Sequence, residues 1–384
     1  MNSVRIMSAI GAASLMSFTA EAATTVADGR GNGMGNTGVT TANYIMAPFY
    51  NPALVAIYRD KDNFGLLLPA IGAELRDNDN SLNTIDDLQD SIKALENGDN
   101  SQSNLDKLNG YLDDLSGNKP LNVSAGVSAA FAIPHEAVSS NVFARGYAEI
   151  IGTPNIAANT GNSQVAVTTR YQNSDIDLVA FGYLEFGVAL AKRMTVYGQD
   201  MSFGITPKIQ RLRTYKQNIN VNDFDVSDYD KTETTKNSAN LDLGAVWMHE
   251  QFRAGVAVKD LFSQKIDTQD VSGVSTYKLD TQVTVSGAFA ARLLTATVDL
   301  DLTKQSRFTD VNDDTKFLRF GVEGNAWDWV QLRAGYQIDM EDTLDNSVTA
   351  GVGLSPGDLV SIDIAGSYAG EHEFGLSANL EFTF

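Results

Sequence analysis

Cysteine is absent from the 384-residue sequence, and histidine occurs only three times. The absence of cysteine excludes a disulfide framework and thiol chemistry. The histidines His135, His249 and His372 are far apart in the chain. His249 precedes Glu250, but no second histidine follows four residues on, so the zincin motif is missing, and no Gly-x-Ser-x-Gly elbow occurs. These absences argue against an enzyme.

Long apolar runs are also missing, apart from a short one at the start of the chain. Residues 1–22 have the form of a secretory signal peptide: Arg5 gives the positive start, 6–19 are mostly apolar, and Ala20-Glu21-Ala22 is a small-residue cleavage site. The apolar stretch is too short, and too broken by serine and glycine, for a membrane anchor. We therefore expect export, with cleavage after Ala22, of a protein that is periplasmic, secreted or a membrane barrel.

Positive charge is scarce. Lysine and arginine number 28 against 48 acidic residues, which gives a formal net charge of −20. Because contacts with phosphate come from lysine and arginine, nucleic acid is not an expected partner. The polar composition does not exclude a membrane barrel, in which only every second strand residue faces lipid.

Strict alternation is the clearest positive feature, and it is unbroken over the last eleven residues. The apolar positions there are Phe374, Leu376, Ala378, Leu380, Phe382 and Phe384. Successive side chains of a strand point to opposite faces, so this segment has one apolar and one polar face. A strand that closes a transmembrane barrel needs both faces and an aromatic residue at the membrane interface.

Similar segments recur along the chain. They predict strands at about 63–75, 121–133, 141–151, 175–191, 195–213, 239–248, 251–261, 277–290, 294–303, 316–326, 329–340, 346–354, 359–368 and 371–384. Their number, about fourteen, is even, as bacterial barrels require, although the pattern over 152–175 is ambiguous. We predict an all-β fold, a transmembrane antiparallel barrel in contact with outer-membrane lipid and lipopolysaccharide.

The connections between these strands alternate in length. The polar and mostly long ones are 76–120, 152–174, 214–238, 262–276, 304–315 and 341–345, and the tight ones include 291–293, 327–328 and 356–358. Outer loops of a barrel are long and periplasmic turns are short. This asymmetry puts both termini on the periplasmic side, and a soluble β-sandwich, the alternative, gives no reason for it.

The first long connection, 76–120, contains two helical patterns. Apolar residues recur at three- and four-residue spacing from Leu82 to Leu95, with Thr84 as the cap and Gly98 at the end, and again from Leu105 to Leu115. Acidic residues occupy the polar faces. We expect a helical hairpin whose apolar stripe packs over the barrel mouth, or else presents a docking surface for a ligand or partner.

Charged residues alternate with apolar ones in several late strands. They are Asp299, Asp301, Arg319, Glu323, Arg333, Asp339, Asp363 and Glu381. A lipid-facing arginine or lysine at the membrane midplane costs roughly 2–4 kcal/mol, so this set is expected to face the lumen. There the side chains either hydrogen-bond to one another and to whatever fills the barrel, or line a polar path around it.

Two patterns are weaker than they look. Asp310 to Asp314 spaces oxygen ligands as a calcium loop does, but it lacks the required glycine and glutamate. Gly33 to Gly38 matches the dinucleotide fingerprint GxGxxG, but no strand precedes it. We therefore expect neither a metal nor a cofactor, and attribute the glycines to a chain folded tightly in a confined space.

The stretch from Gly33-Met34-Gly35 to Asn51-Pro52-Ala53 resembles the start of the long-chain fatty acid transporter (FadL) superfamily, in which the segment before the first strand plugs the barrel as a hatch. It resembles more closely the TraF-type family, named for conjugal transfer, which shares Pro-Phe-x-Asn-Pro-Ala and a Phe-Gly-Leu-Leu-Leu-Pro-Ala like that of residues 64–70. The resemblance is specific over 29–75 and architectural beyond.

This resemblance implies a hatch at 23–58 and an outer-membrane barrel at 59–384, with 76–120 as an extracellular insertion. The hatch elements it implies are Gly33, Met34, Gly35, Asn51, Pro52 and Ala53. Pro52 would fix a bend, and Asn51 can hydrogen-bond to the inner wall. Phe382 and Phe384 resemble the carboxy-terminal signature of bacterial outer-membrane barrels, which implies recognition by the barrel-assembly machinery.

The function implied is passive uptake of a small hydrophobic compound across the outer membrane of a Gram-negative bacterium. The acidic hairpin argues against a carboxylate ligand, because like charges repel. The alternative is a surface or assembly protein associated with conjugal transfer that transports nothing.

Overall fold

The structure is a computed structural model that describes residues 27–225, 232–326 and 329–384. The predicted signal peptide and the tight link at 327–328 lie outside the described residues. Within them, fourteen antiparallel strands form a closed barrel. The strands are β1 (Gly65–Arg76), β2 (Leu121–Ile133), β3 (Ser139–Asn155), β4 (Asp175–Val196), β5 (Gln199–Asn220), β6 (Thr234–His249), β7 (Phe252–Lys259), β10 (Gln282–Ala290), β11 (Leu294–Asp301), β12 (Phe317–Ala326), β13 (Val330–Asp339), β14 (Ser347–Leu354), β15 (Val360–Gly370) and β16 (Glu373–Thr383), while β8 (Gln264–Asp267) and β9 (Thr276–Leu279) form a separate two-stranded sheet.

The first and last strands close the barrel. Gly65 of β1 lies opposite Thr383 of β16, and Arg76 lies opposite Glu373 at the other end of the pair. At the start of this seam the ring of Phe64 stacks on that of Phe384, with 4.6 Å between the ring centroids. The strand pattern at the carboxy terminus therefore has the closing position that its sequence predicts.

Alternation along the strands separates the two surfaces of the barrel. On β16, Leu376 is 65% exposed on the outside, while its neighbours Gly375 and Ser377 are buried. On β13, Leu332 is exposed and Arg333 is buried. The outside is an apolar belt, the surface that a lipid environment favours, and the polar residues face the lumen. No helix among the described residues is long and apolar enough to cross a bilayer.

Six strands, β1 to β6, are longer than the roughly 9–11 residues that cross a membrane, and β3 to β6, with 16 to 22 residues, are the longest. Three helices cover the outward face of the projecting ends of β3, β4 and β5. They are α2 (Ser81–Glu96), α3 (Gln102–Leu115) and α4 (Gln164–Gln172), and we call them the helical module. Their apolar stripe contacts Ile150, Leu178, Ala180 and Tyr215, which point away from the lumen.

Two expectations about this region are wrong. The hairpin does not lie over the mouth, because apolar residues on the outside of the projecting strands need cover. Helix α2 begins at Ser81 and not after Thr84, because the carboxylate of Asp77 accepts hydrogen bonds from the Ser81 and Leu82 amides. The region 152–175, whose pattern is ambiguous, holds the end of β3 and helix α4, and the barrel has the fourteen strands that the sequence predicts.

Leu108, fully buried in α3, gives a test of the helical module. Its replacement by alanine is expected to lower the free energy of unfolding of the module by about 2–5 kcal/mol, because the side chain leaves a cavity. Amide hydrogen exchange over residues 81–115 measures this loss. The neighbouring exposed Lys107, replaced by alanine, is the control. Equal exchange in the two variants would mean that the stripe contributes nothing.

Strands β8 and β9 correct the strand predicted at 277–290. Only 282–290 belongs to the barrel, where β10 pairs with β7. Tyr277 and Leu279 of β9 instead enter an apolar cluster inside the outer end of the barrel, together with Tyr147, Ile151, Val179, Phe181, Tyr183, Leu212, Ile266 and Phe308. The Tyr277 ring stacks on Phe181 with 3.5 Å between centroids. This cluster, which we call the aromatic cap, occupies the outer end of the lumen.

The candidate hatch and the lumen around it

The hatch, residues 23–58, is described from Ala27 onward and is almost entirely buried inside the barrel. It contains a short helix, α1 (Gly29–Gly33), and two 3-10 turns at Ala47–Phe49 and Pro52–Ala56. Beyond the hatch towards the outer end lies the aromatic cap. The segment precedes β1 directly, so it enters the lumen from the end opposite the long loops.

One side of the hatch lies against glycines of the wall. A Cβ on Gly351 would lie 3.0 Å from the Cα of Gly33, and a Cβ on Gly335 would overlap the backbone of Met34 and Gly35. Gly35 itself has a positive φ of 69°. The predicted Gly33-Met34-Gly35 motif therefore packs backbone to backbone on β13 and β14, which only residues without a Cβ allow.

The predicted Asn51-Pro52-Ala53 motif lies against a second pair of glycines. A Cβ on Gly204 of β5 would meet the Pro52 and Ala53 backbone, and one on Gly244 of β6 would overlap the Asn51 side chain. Asn51 is fully buried; its amide nitrogen donates to the Val39 carbonyl at 2.9 Å. Its Oδ1 accepts from the Ala53 amide at 3.0 Å and so caps the turn that Pro52 begins.

Side chains of the wall bind carbonyl groups of the hatch. Ser202 donates to the carbonyl of Ala53 at 2.6 Å, and Lys259 donates to that of Phe49 at 2.6 Å. Asn141 donates to the carbonyls of Tyr44 and Ile45, at 3.0 and 2.8 Å. Buried carbonyls need such partners, so the wall supplies hydrogen bonds that regular secondary structure would otherwise provide.

An ionic array fixes the other side of the hatch. The Arg30 guanidinium donates to both oxygens of Glu323, each at 2.9 Å, and to the Thr41 carbonyl. Glu323 also accepts from Arg333 at 2.7 Å, and Arg333 pairs with Asp363 at 2.6 Å. We call Arg30, Glu323, Arg333 and Asp363 the latch. Bidentate arginine–carboxylate pairs are strong and directional, so the latch holds α1 in one orientation.

Other predicted lumen residues also contact the hatch or one another. Asp299 accepts from the Gly38 and Val39 amides at 2.9 and 3.1 Å. Glu381 accepts from the Asn43 side chain at 2.6 Å. Asp301 pairs with Arg319 at 3.0 Å. These contacts agree with the interpretation that the charged residues hydrogen-bond to one another and to the segment that fills the barrel. The alternative, a polar path around the hatch, stays a prediction.

Asp339 differs from the rest of the set. It lies at the end of β13, opposite Phe317, where the strands leave the barrel. Its carboxylate accepts from the amides of Glu341, Thr343, Leu344 and Lys316, so it orders an outer turn and does not touch the hatch.

Burial changes the acidity of two hatch side chains. Asp28 caps α1 and accepts from the Tyr50 hydroxyl at 2.7 Å. Burial raises the pKa of Asp28 despite these hydrogen bonds, and burial next to Asp28 raises the pKa of Tyr50 well above its ordinary value. The two shifts have the same main cause, which is the removal of both side chains from water.

A charged cluster on the wall was not predicted from the sequence. The Lys208 ammonium lies 3.1 Å from Glu185, 2.9 Å from Asp242 and 2.9 Å from Asp260, all nearly fully buried. The signal was present, because Lys208 stands between Pro207 and Ile209 in an alternating strand. Arg333 was predicted to face the lumen because it is a charged residue that alternates with apolar ones, and the same criterion applies to Lys208.

Two small cavities remain between hatch and wall. One, of about 40 Å³, is lined by polar residues that include Asn32, Ser347, Thr349 and Ser377. The other, of about 30 Å³, is lined by Asn36, Phe49, Tyr50, Lys259 and Arg319, among others. Each has room for one or a few waters and no more, so a larger molecule passes these places only if the hatch shifts.

The acidic loop at 310–314 has internal partners. Asp313 accepts from the Arg307 and Phe308 amides, Asp310 pairs with Lys216 at 2.9 Å, and Asp314 pairs with Lys304 at 2.6 Å. Burial raises the pKa of Asp313 to about 6. Among the residues that the structure describes, no cluster of three or more histidine and acidic side chains is arranged to hold a metal ion.

A family model described as "F plasmid transfer operon, TraF, protein" matches residues 48–301. It spans both the Asn51-Pro52-Ala53 motif and the helical module. None of the curated proteins matches the chain.

Solved structures share the fold at low sequence identity. The toluene transporter TbuX of Ralstonia pickettii is 12% identical, with a TM-score of 0.55 over 95% of this chain and 99% of that one. A FadL homologue of Pseudomonas aeruginosa is 13% identical, with a TM-score of 0.54 over 96% and 99%. The monoaromatic hydrocarbon channel CymD is 11% identical, with a TM-score of 0.53 over 94% and 99%.

Proposed function

This chain belongs to the family described as the F plasmid transfer operon protein TraF, and we propose that it is an outer-membrane channel for passive uptake of small hydrophobic compounds. The observation that carries the proposal is a non-covalently held hatch in a barrel wide enough to conduct. In a barrel of about eight strands, side chains alone fill the interior. In a barrel of about sixteen to eighteen strands, the interior is wide enough for an aqueous channel. With fourteen strands, this barrel encloses space that the hatch occupies.

The two sides of the hatch suggest where a route opens. The latch and the carboxylates around it hold the side near β11 to β16 through ion pairs, which an apolar compound cannot replace. On the side near β1 to β6, Ile45, Phe49 and Leu54 pack on apolar wall residues such as Phe143 and Val246. A hydrophobic compound offers the same kind of contact as these side chains do, so we place the route on this side.

The names of the solved barrels with this fold support the substrate class. Two of them, TbuX and CymD, are described as a toluene transporter and a monoaromatic hydrocarbon channel, and a compound of that size and polarity suits the apolar side of the hatch. Entry from outside also requires the aromatic cap to separate, since Tyr277 and Phe308 pack against the wall there.

Replacing Phe49 by alanine tests the route. Its ring packs edge-on against Phe143 with 5.4 Å between centroids, and truncation of a buried phenylalanine costs about 3–5 kcal/mol. We expect the initial rate of radiolabelled toluene uptake, in intact Gram-negative cells that lack other such channels, to rise severalfold above that of the wild type. Sucrose uptake should stay at background.

Phe186, which is half exposed on the outside of β4, is the matched control, and its alanine variant should behave as the wild type. If neither the wild-type protein nor the Phe49→Ala variant raises toluene uptake above that of cells without the protein, the channel proposal fails.

A second candidate, a surface or assembly protein of conjugal transfer without transport, is favoured by the family description alone. The acidic outer face of the helical module, with Asp86, Asp87 and Asp114 unburied, suits contact with another macromolecule. Loss of mating-pair formation in a deletion strain, with toluene uptake unchanged, would select this function over the channel.

A further inference from the structure

Two arginines continue the apolar outward face of β5. Phe203, Ile205 and Ile209 point outward from this strand and are well exposed. Arg211 follows on the same face, opposite Leu184 of β4 and Asn237 of β6, and Arg213 follows in turn. The side chains of the strand thus change from apolar to cationic within two residues.

This change marks the edge of the apolar belt. A lipid-facing arginine costs roughly 2–4 kcal/mol at the membrane midplane but only about 0–1 kcal/mol near the interface, so Arg211 belongs at the interface. Two residues beyond Arg213, Tyr215 is buried under the helical module. The two arginines therefore lie on the outside of the barrel, between the belt and the helices.

The two arginines differ in their partners. Arg213 pairs with Glu233 at 3.4 Å. Arg211 is exposed and interacts electrostatically with the same carboxylate, but it makes no direct hydrogen bond or ion pair with any residue that the structure describes. Cations of the inner wall are instead paired, as Lys208 and Arg333 show. An exposed arginine at a lipid interface whose guanidinium no described carboxylate contacts directly is available for a ligand from the membrane.

We propose that Arg211, with Arg213 beside it, binds a phosphate group of lipopolysaccharide on this outward face. A guanidinium group matches phosphate in a two-pronged geometry and is weakly hydrated, which suits the edge of an apolar belt. The rest of the chain is strongly acidic, so an anionic lipid is attracted here and repelled elsewhere. The site lies on the side of the long loops, the outer one, where the membrane leaflet is glycolipid. The inference rests on the outer-membrane location in the proposed function but not on transport.

Native mass spectrometry of the full-length barrel in detergent, titrated with purified rough lipopolysaccharide, tests the site. We expect Arg211→Ala to weaken binding about tenfold, as loss of one charged contact does. Arg211→Lys should weaken it less, because lysine keeps the charge without the planar fork. Lys192, an exposed outward cation at the opposite edge of β4, is the matched control, and Lys192→Ala should bind as the wild type does.

Heat-modified mobility on a gel shows that each variant is folded. Wild-type binding by Arg211→Ala, an equal loss in Lys192→Ala, or displacement of the glycolipid by equimolar phosphatidylglycerol would each overturn the inference. If the barrel binds the glycolipid through Arg211 but takes up no toluene, the lipopolysaccharide site is supported and the channel proposal fails.

Discussion

Arg30→Ala is expected to raise the passive flux of small sugars through the purified barrel in liposomes by at least about tenfold. The Arg30 side chain makes three hydrogen bonds, two of them to the carboxylate of Glu323. Each hydrogen bond to a charged group contributes about 1.5–3 kcal/mol, and about 1.4 kcal/mol shifts an equilibrium tenfold. The variant keeps Glu323 paired with Arg333, so the wall stays intact while the seated hatch loses stability.

Swelling of liposomes in arabinose measures this flux. The control is Arg193→Ala, because Arg193 pairs with Asp200 where both are largely exposed, and such surface pairs contribute about 0–1 kcal/mol. It should leave the flux unchanged. A flux through Arg30→Ala equal to that of the wild type would mean that the latch does not hold the hatch closed.

Gly335→Val is expected to expel the glycine-methionine segment from its seat and expose the hatch to protease. A side chain at Gly335 would overlap the Gly35 nitrogen and the Met34 carbonyl carbon, and these are backbone atoms that cannot move aside independently. Valine favours a strand, so the loss would come from the clash and not from the strand itself. The rate of cleavage within residues 27–58 should rise by an order of magnitude or more.

Gly287→Val is the matched control, because Gly287 lies within β10 with nothing within 4 Å of an added Cβ. Its hatch should be as protected as that of the wild type, and both barrels should keep their heat-modified mobility. Equal protection in the Gly335 variant would show that the close packing on β13 contributes little to seating.

Local pattern predicted the barrel well because one rule, the period of two, governs every strand. It gave the outward face of β16 and the inward positions of Asp299 and Arg333. The same rule cannot say where a strand leaves the sheet. The apolar alternation through Tyr277 and Leu279 continues into β10, but the stacking partner of Tyr277, Phe181, is nearly a hundred positions earlier in the chain.

The helical module shows a similar limit. The spacing of its leucines predicted an apolar stripe, and in the structure this stripe is buried. The surface that it covers depends on β3 to β5 projecting beyond the belt with Ile150 and Leu178 on the outside, which no local spacing records. For Asp339, the pattern gave the inward face, and only the register with β12 shows that the residue has reached the end of the barrel.

The hatch forms hydrogen bonds with the last strand, β16, at the seam where the barrel closes. The Gly29 amide donates to Asn379, and the Asn43 side chain donates to Glu381, both on the final strand. The segment before β1 therefore binds β16, one of the two strands between which the ring closes. We expect the seating of this segment to stabilise the seam of the barrel. Homologues that exchange Asn43 are expected to exchange Glu381 as well.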